Sequence, residues 1–139
     1  MAITQAFCTS AKAEFLGGVH DLDTDTIKIA LYTSAATLGA ATTAYSAANE
    51  VVGTGYTAGG MTLTGPAIST DGTTAIVDFD DATWSDSTIV ARGAMIYNAS
   101  KSNKALAVID FGADKTSSAG NFTVVMPAPA AATAILRIA

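Results

Sequence analysis

The feature that most constrains this chain is a series of short runs of β-branched and aromatic residues, each four to eleven long, separated by Gly, Asp, Asn and Ser. Runs of that length with turn residues between them cannot make long helices, but they can make strands joined by tight connections. The runs at 26–33, 61–64, 73–80, 88–98, 106–111, 122–126 and 134–138 are the expected strands. In the first, Ile27, Ile29 and Leu31 share one face. In the third, Ala75, Val77 and Phe79 alternate with Ile76, Asp78 and Asp80. Asp71-Gly72 is a hairpin turn signal ahead of 73–80, and the polar turn 101–104 predicts an antiparallel pair between 88–98 and 106–111.

One segment has a different period. Phe7, Ala11 and Phe15 recur four residues apart, with Cys8 and Leu16 beside them and Gly17-Gly18 as a stop, which predicts one amphipathic helix over 4–19 with Thr4 as N-cap. The fold class expected is therefore mainly β. It is a single antiparallel β-sandwich, jelly-roll-like, occupying 1–139 as one domain, with the helix laid on one side and the strands in 26–139. The expected core is Phe7, Phe15, Ile29, Leu31, Val77, Phe79, Met95, Tyr97, Val108, Phe122, Val124 and Ile138. Trp84 falls in a short loop as a packing anchor, 114–121 in an exposed polar loop, and 34–48 in a long connection of small residues without regular structure. Ala75 to Phe79 and Ala107 to Phe111 echo each other, too briefly for a repeat architecture.

Composition narrows the function classes. Half the residues are hydrophobic and 14% charged, against about a quarter in ordinary domains, which excludes a disordered chain. Seven Lys plus Arg against twelve Asp plus Glu give a net charge of -5 with the cations scattered, so a direct nucleic-acid groove is not expected. No run approaches the ~18 apolar residues of a membrane span, and the start lacks the pattern of a signal peptide. Cys8 is the only cysteine, which rules out an intrachain disulfide and a four-cysteine zinc site and fits a reducing compartment.

A search for chemistry leaves no catalytic, cofactor or metal residue to assign. The sole histidine, His20, follows a helix stop among acids with no nucleophile motif nearby. Asp21, Asp23 and Asp25 have the first spacings of a calcium loop, but Thr26 stands where Gly is required and Tyr32 where a bidentate Glu is required. Asp78, Asp80, Asp81 and Asp86 around Trp84 form an acidic patch without the aromatic cleft that glycosidase chemistry usually needs. Neither Gly53-Thr54-Gly55 nor Gly59-Gly60 opens a helix or precedes a Lys-Ser/Thr pair, so no phosphate cradle is expected. Gly59-Gly60 instead marks a bend into the strand at 61–64. The sequons at Asn98 and Asn121 matter only in a secretory pathway.

The succession of Ile29-Ala30-Leu31-Tyr32-Thr33, Gly53-Thr54-Gly55-Tyr56-Thr57-Ala58-Gly59-Gly60, Val77-Asp78-Phe79 with Trp84, Ala91 to Asn98 and Val108-Ile109-Asp110-Phe111-Gly112 resembles small structural proteins of tailed-bacteriophage virions. The likeness runs from about Thr4 to Ala139. It implies a non-enzymatic part of the particle, made in the host cytoplasm and needing no cofactor. The preferred role is a capsid decoration or cement protein bound to the major capsid protein. A tail, collar or adaptor component forming a ring or trimer through strand edges at 88–98 or Ile138 is the alternative, and a host-surface glycan module using Trp84 or Tyr56 is a further one. Expected partners are the major capsid protein or other virion proteins and further copies of the chain, with no direct nucleic acid and no membrane. The interface residues expected are Ser34, Thr37, Leu38, Thr42, Tyr45, Tyr56 and Trp84.

Overall fold

The computed structural model describes residues 2–139. Eight strands and one helix follow in the order β1 (Ala6–Phe7), α1 (Thr9–Leu16), β2 (Ile27–Tyr32), β3 (Met61–Thr62), β4 (Ala67–Asp71), β5 (Thr74–Asp78), β6 (Ala82–Asn98), β7 (Lys104–Val124) and β8 (Leu136–Ile138). The fold is mainly β and sandwich-like. One antiparallel sheet has the order β1-β7-β6-β2-β3 and the other the order β4-β5-β8. No helix is long and apolar enough to cross a membrane among the described residues.

The large sheet is built on β6, which pairs with β2 from Ile27↔Asn98 to Tyr32↔Gly93 and with β7 from Ala82↔Val124 to Asn98↔Lys104. Those registers place Lys28, Ala30, Tyr32, Gly93, Met95 and Tyr97 on one face, and Ile27, Ile29, Leu31, Ala94, Ile96 and Asn98 on the other. Every β2 residue except Lys28 is buried, as are residues 93–98, so this sheet is covered on both sides. The first face lies under the 34–60 connection. The second faces Phe15, His20 and Leu22, with β5 and β8 beyond them across an apolar cavity.

Length comes at the cost of regularity. The ladder between β6 and β7 breaks in four places, and between Ala91↔Lys115 and Gly93↔Asp110 residues 111–114 of β7 lie against Arg92 alone. Bulges of this kind bend a strand and raise its twist, which lets a 17-residue and a 21-residue strand wrap a small core.

Several expectations change. The helix is half the expected length because backbone pairing competes for its first residues. Phe7 pairs with Ala107, Ala6 with Val108, and the Thr4 amide donates to the Leu38 carbonyl at 2.9 Å, so Thr4 is no N-cap. Cys8 takes that position without a side-chain cap bond. The apolar stripe still meets in space: Ala11 is fully buried, and Phe7, arriving from a strand, packs edge-on to Phe15 at 5.8 Å. Leu16, beside the stripe in sequence, is 92% exposed.

Trp84 lies within β6 and not in a loop, and 114–121 belongs to β7, continuous with Phe122. Within the 88–98 segment, residues 93–98 are paired on both sides, with β2 and with β7, and so offer no edge, whereas 88–92 are laddered to β7 alone. Strand β4 has no sequence signal because all five of its residues are exposed, so nothing alternates. It pairs with β5 through the expected turn, with Gly72 at φ +60° between Asp71 and Thr74.

Of the expected core, Ile29, Leu31, Val77, Phe79, Met95, Tyr97, Val108, Phe122 and Val124 are buried, and Phe7 and Phe15 half-buried. Ile138 is 55% exposed, because β8 is an edge strand of the small sheet.

Candidate functional site

Glu50 is the only charged residue in 29–70. It is buried, and the chain reaches it through Asn49 at φ +61° to form an antiparallel bridge with Tyr32. A buried carboxylate requires donors in place of water. Here Tyr45 Oη–H donates to Oε1 at 2.6 Å, Tyr56 Oη–H to Oε2 at 2.5 Å, and the Gly59 amide to Oε2 at 2.8 Å.

The other two tyrosines complete the cluster. Tyr97 Oη–H donates to the Gly59 carbonyl and Tyr32 Oη–H to the Ser46 carbonyl, each at 2.6 Å, while Tyr56 Oη accepts the Leu31 amide at 2.8 Å. The Tyr45 and Tyr97 rings stack at 4.8 Å. All four tyrosines of the chain are thus tied, directly or through one backbone group, to the segment around one acid. Burial holds each phenol above its ordinary pKa, and the Glu50 charge pushes in the same direction. Gly60 lets this cluster sit tight on β2. At φ +78°, a Cβ there would fall 1.8 Å from the Ile29 carbonyl oxygen, so no side chain fits.

The arrangement pins the uncharged connection 34–49 onto the first face of the large sheet. Its backbone is stitched to neighbours along its length, with Leu38 N to Ala2 O, Thr9 N to Ala40 O, Ala105 N to Thr43 O, Tyr45 N to Asn103 O and Thr33 N to Asn49 O all at 2.9–3.1 Å. The connection has no helix or strand, as expected, but these bonds tie it to the sheet along its length. Outward, the segment shows Ala35, Ala40, Ala41, Ala44, Ala47 and Ala48, with Ser34, Thr37, Thr43 and Ser46 between them.

A second polar cluster lies on the opposite face. His20, whose side chain is fully buried, contacts Glu14 Oε1 through Nε2 at 2.9 Å and Asn98 Nδ2 through Nδ1 at 3.0 Å. Asn98 also donates to Asp25 Oδ2 at 2.8 Å and accepts the Ser100 amide at 3.0 Å. With Asn98 donating to Nδ1, the imidazole carries its hydrogen on Nε2 and donates it to Glu14. Lys104 and Lys101 close the ends at 3.6 Å from Glu14 and Asp25. Both ring nitrogens are occupied, so the cluster positions loops and leaves no base facing solvent. The Asn98 bond holds the Asp25 carboxyl below its ordinary pKa, and Asn98 itself is wholly buried, away from any modifying enzyme.

The remaining candidates disperse. Asp21 and Asp25 accept amides of their own turn, Asp80 accepts Thr64 Oγ1–H, and Asp81 accepts the Met126 amide at 2.7 Å. Among the described residues no group of three His, Cys, Asp or Glu side chains is placed to share a metal ion. The Cys8 thiol is buried, and burial followed by the nearby Glu14 charge pushes its pKa to about 11, which suppresses the thiolate.

Of the expected interface residues, Ser34 and Thr37 are exposed. Leu38 and Thr42 are half-buried, Leu38 bridging Ile3 and Thr42 Oγ1 accepting the Gly39 amide at 3.0 Å. Tyr45 and Tyr56 are half-buried with their hydroxyls committed to Glu50. Trp84 is a core residue, packed between Tyr56 at 5.8 Å and Phe122 at 6.2 Å, and is not available at the surface.

Glu50 belongs to no catalytic, metal or phosphate motif; what marks it in the sequence is that it is a lone acid in a long uncharged stretch, flanked by Tyr45 and Tyr56. Comparison of the chain with protein-family models, with curated proteins and with solved structures gives no match.

Proposed function

We propose that this chain is a non-enzymatic structural protein of a tailed-bacteriophage particle, a head decoration protein that docks on the major capsid protein through the 34–49 surface. The observation that carries this reading is a broad, rigid surface made of exposed small uncharged residues, held in shape by Glu50 and the tyrosines. Burying Ala costs no rotamer entropy, and a surface without Lys, Arg, Asp or Glu desolvates no charge on docking. Weak contacts of that type suffice when many copies sit on a repeating lattice, where neighbouring copies raise the effective concentration. The resemblance to small virion proteins supplies the setting.

The test mixes the purified protein with empty, expanded capsids that lack it and counts copies retained after sedimentation. A saturable count matching the lattice symmetry is expected. Ala41→Glu with Ala47→Glu should lower retention while leaving the melting temperature unchanged. No retention, with a discrete ring or trimer in the unbound fraction, overturns the head assignment. The open outer edges of β4 and β8 in the small sheet favour that second reading, in which copies join strand to strand.

A further inference from the structure

A groove of about 1130 Å³, lined by no residue of the 34–49 segment, separates the two sheets. Strand edges flank it on both sides. β7 is paired with β6 on one edge, and on the other β1 covers only Ala107 and Val108. Beyond the β6 ladder, no backbone hydrogen bond reaches residues 121–125, among the described residues. β8 is paired with β5 alone. Both open stretches line this groove.

Charge gives the groove a polarity opposite to that of the molecule. The chain carries -5 overall, yet the groove is lined by Lys12, Lys115 and Arg137 and by no Asp or Glu side chain. Lys12 and Lys115 are exposed, the Lys12 ammonium lying 5.8 Å from the centre of the Phe7 ring, while Arg137 is steadied by its bond to the Ala131 carbonyl at 3.0 Å. The wall also includes Phe7, Phe111 and Phe122, so an occupant meets aromatic surface as well as cations. The volume exceeds the ~300–1,000 Å³ of small-molecule pockets, and its length follows strands.

We infer that this groove receives an extended, acidic segment of a partner protein, which adds a strand to the open edge of β7 and sets its carboxylates against Lys12, Lys115 and Arg137. β1 already occupies that edge over two residues, so an added strand continues an existing geometry. A second copy of this chain is not the donor. Its own acidic stretches, 21–25 and 78–86, are tied into turns and ladders of the folded molecule. The inference concerns a different surface from 34–49 and does not depend on the capsid reading.

The test uses the full-length, isotope-labelled protein and a synthetic octapeptide with free amides in which Val and Thr alternate with Asp and Glu. Amide shifts confined to the groove wall, at residues 121–125 and 136–138, on β1 and around Lys12 and Lys115, are expected. Raising NaCl from about 50 to about 300 mM should weaken binding severalfold. Lys12→Glu with Lys115→Glu, both at exposed positions, should weaken it by about tenfold or more without changing the melting temperature. A version N-methylated on alternate amides, which cannot pair as a strand, should fail to bind. No shifts with the acidic peptide, equal binding of a peptide with Lys in place of the acids, or the same shifts from dodecanoate would each overturn the inference. The last result would assign the groove to amphiphilic anions.

Discussion

Replacing Glu50 by Ala is the sharpest perturbation of the tyrosine cluster. The change strands three donors: the Gly59 amide, which is buried, and the hydroxyls of Tyr45 and Tyr56, which are half-buried. A buried donor without an acceptor costs about 1–3 kcal/mol, and a half-buried hydroxyl regains part of that from water. Taking about 2 kcal/mol for the amide and about 1 for each phenol gives a loss of roughly 3–5 kcal/mol. For a chain of this size that lowers the melting temperature by roughly 10–20 °C. Glu50→Gln keeps one acceptor oxygen and can donate to a rotated phenol, so it should lose only about 1–2 kcal/mol. Urea titrations followed by far-ultraviolet circular dichroism measure both. A double-mutant cycle of Glu50→Ala with Tyr45→Phe should return a coupling of about 1 kcal/mol or more. A loss under about 1 kcal/mol for the Ala variant, or equal losses for Ala and Gln, would refute the claim that the carboxylate organises this segment.

Two further outcomes follow from the ionisable groups. The folded phenols sit above their ordinary pKa, so the native state holds more protons than the unfolded one above pH ~10, and stability is full below that value and falls as pH rises beyond it. Absorbance at 295 nm should therefore show tyrosine ionisation only together with unfolding; separate ionisation of a folded protein would contradict the cluster. Asp25 has the reverse sign: its folded pKa is depressed, so its contribution is present above pH ~4 and lost as pH falls through the folded value. Asn98→Ala removes the bond chiefly responsible and should flatten the acid limb of the stability curve as well as lowering it; an unchanged acid limb would show that Asn98 does not set Asp25.

How much of this was legible beforehand differs by element. Period-two alternation marked β2 and β5, and turn chemistry at Asp71-Gly72 and 101–104 gave both hairpins, because these signals are local. The helix is shorter than its stripe suggests, since an i, i+4 pattern says which side chains meet but not how the backbone brings them there. Phe7 joins Phe15 from a strand because Ala107 and Val108 are available to pair, a fact located a hundred residues away. Strand β4 was silent because a fully exposed strand has no buried face to impose alternation.

By itself the sequence determined that this chain is mainly β, that its core is aliphatic and aromatic, and that its one cysteine makes no intrachain bridge. It also held an acid isolated among uncharged residues. Only the tertiary structure decided what those residues do. Tyr32, Tyr45, Tyr56 and Tyr97 come from three separate parts of the chain, and they share Glu50 and its neighbours because β2, β6 and the connection between β2 and β3 stack there. The cations of the groove, Lys12, Lys115 and Arg137, are likewise scattered along the chain and gathered by the helix and the two sheets. Local pattern fixes which face of a strand is apolar. Which distant partners that face will meet is set by register and layer packing, and these satisfy the whole chain at once.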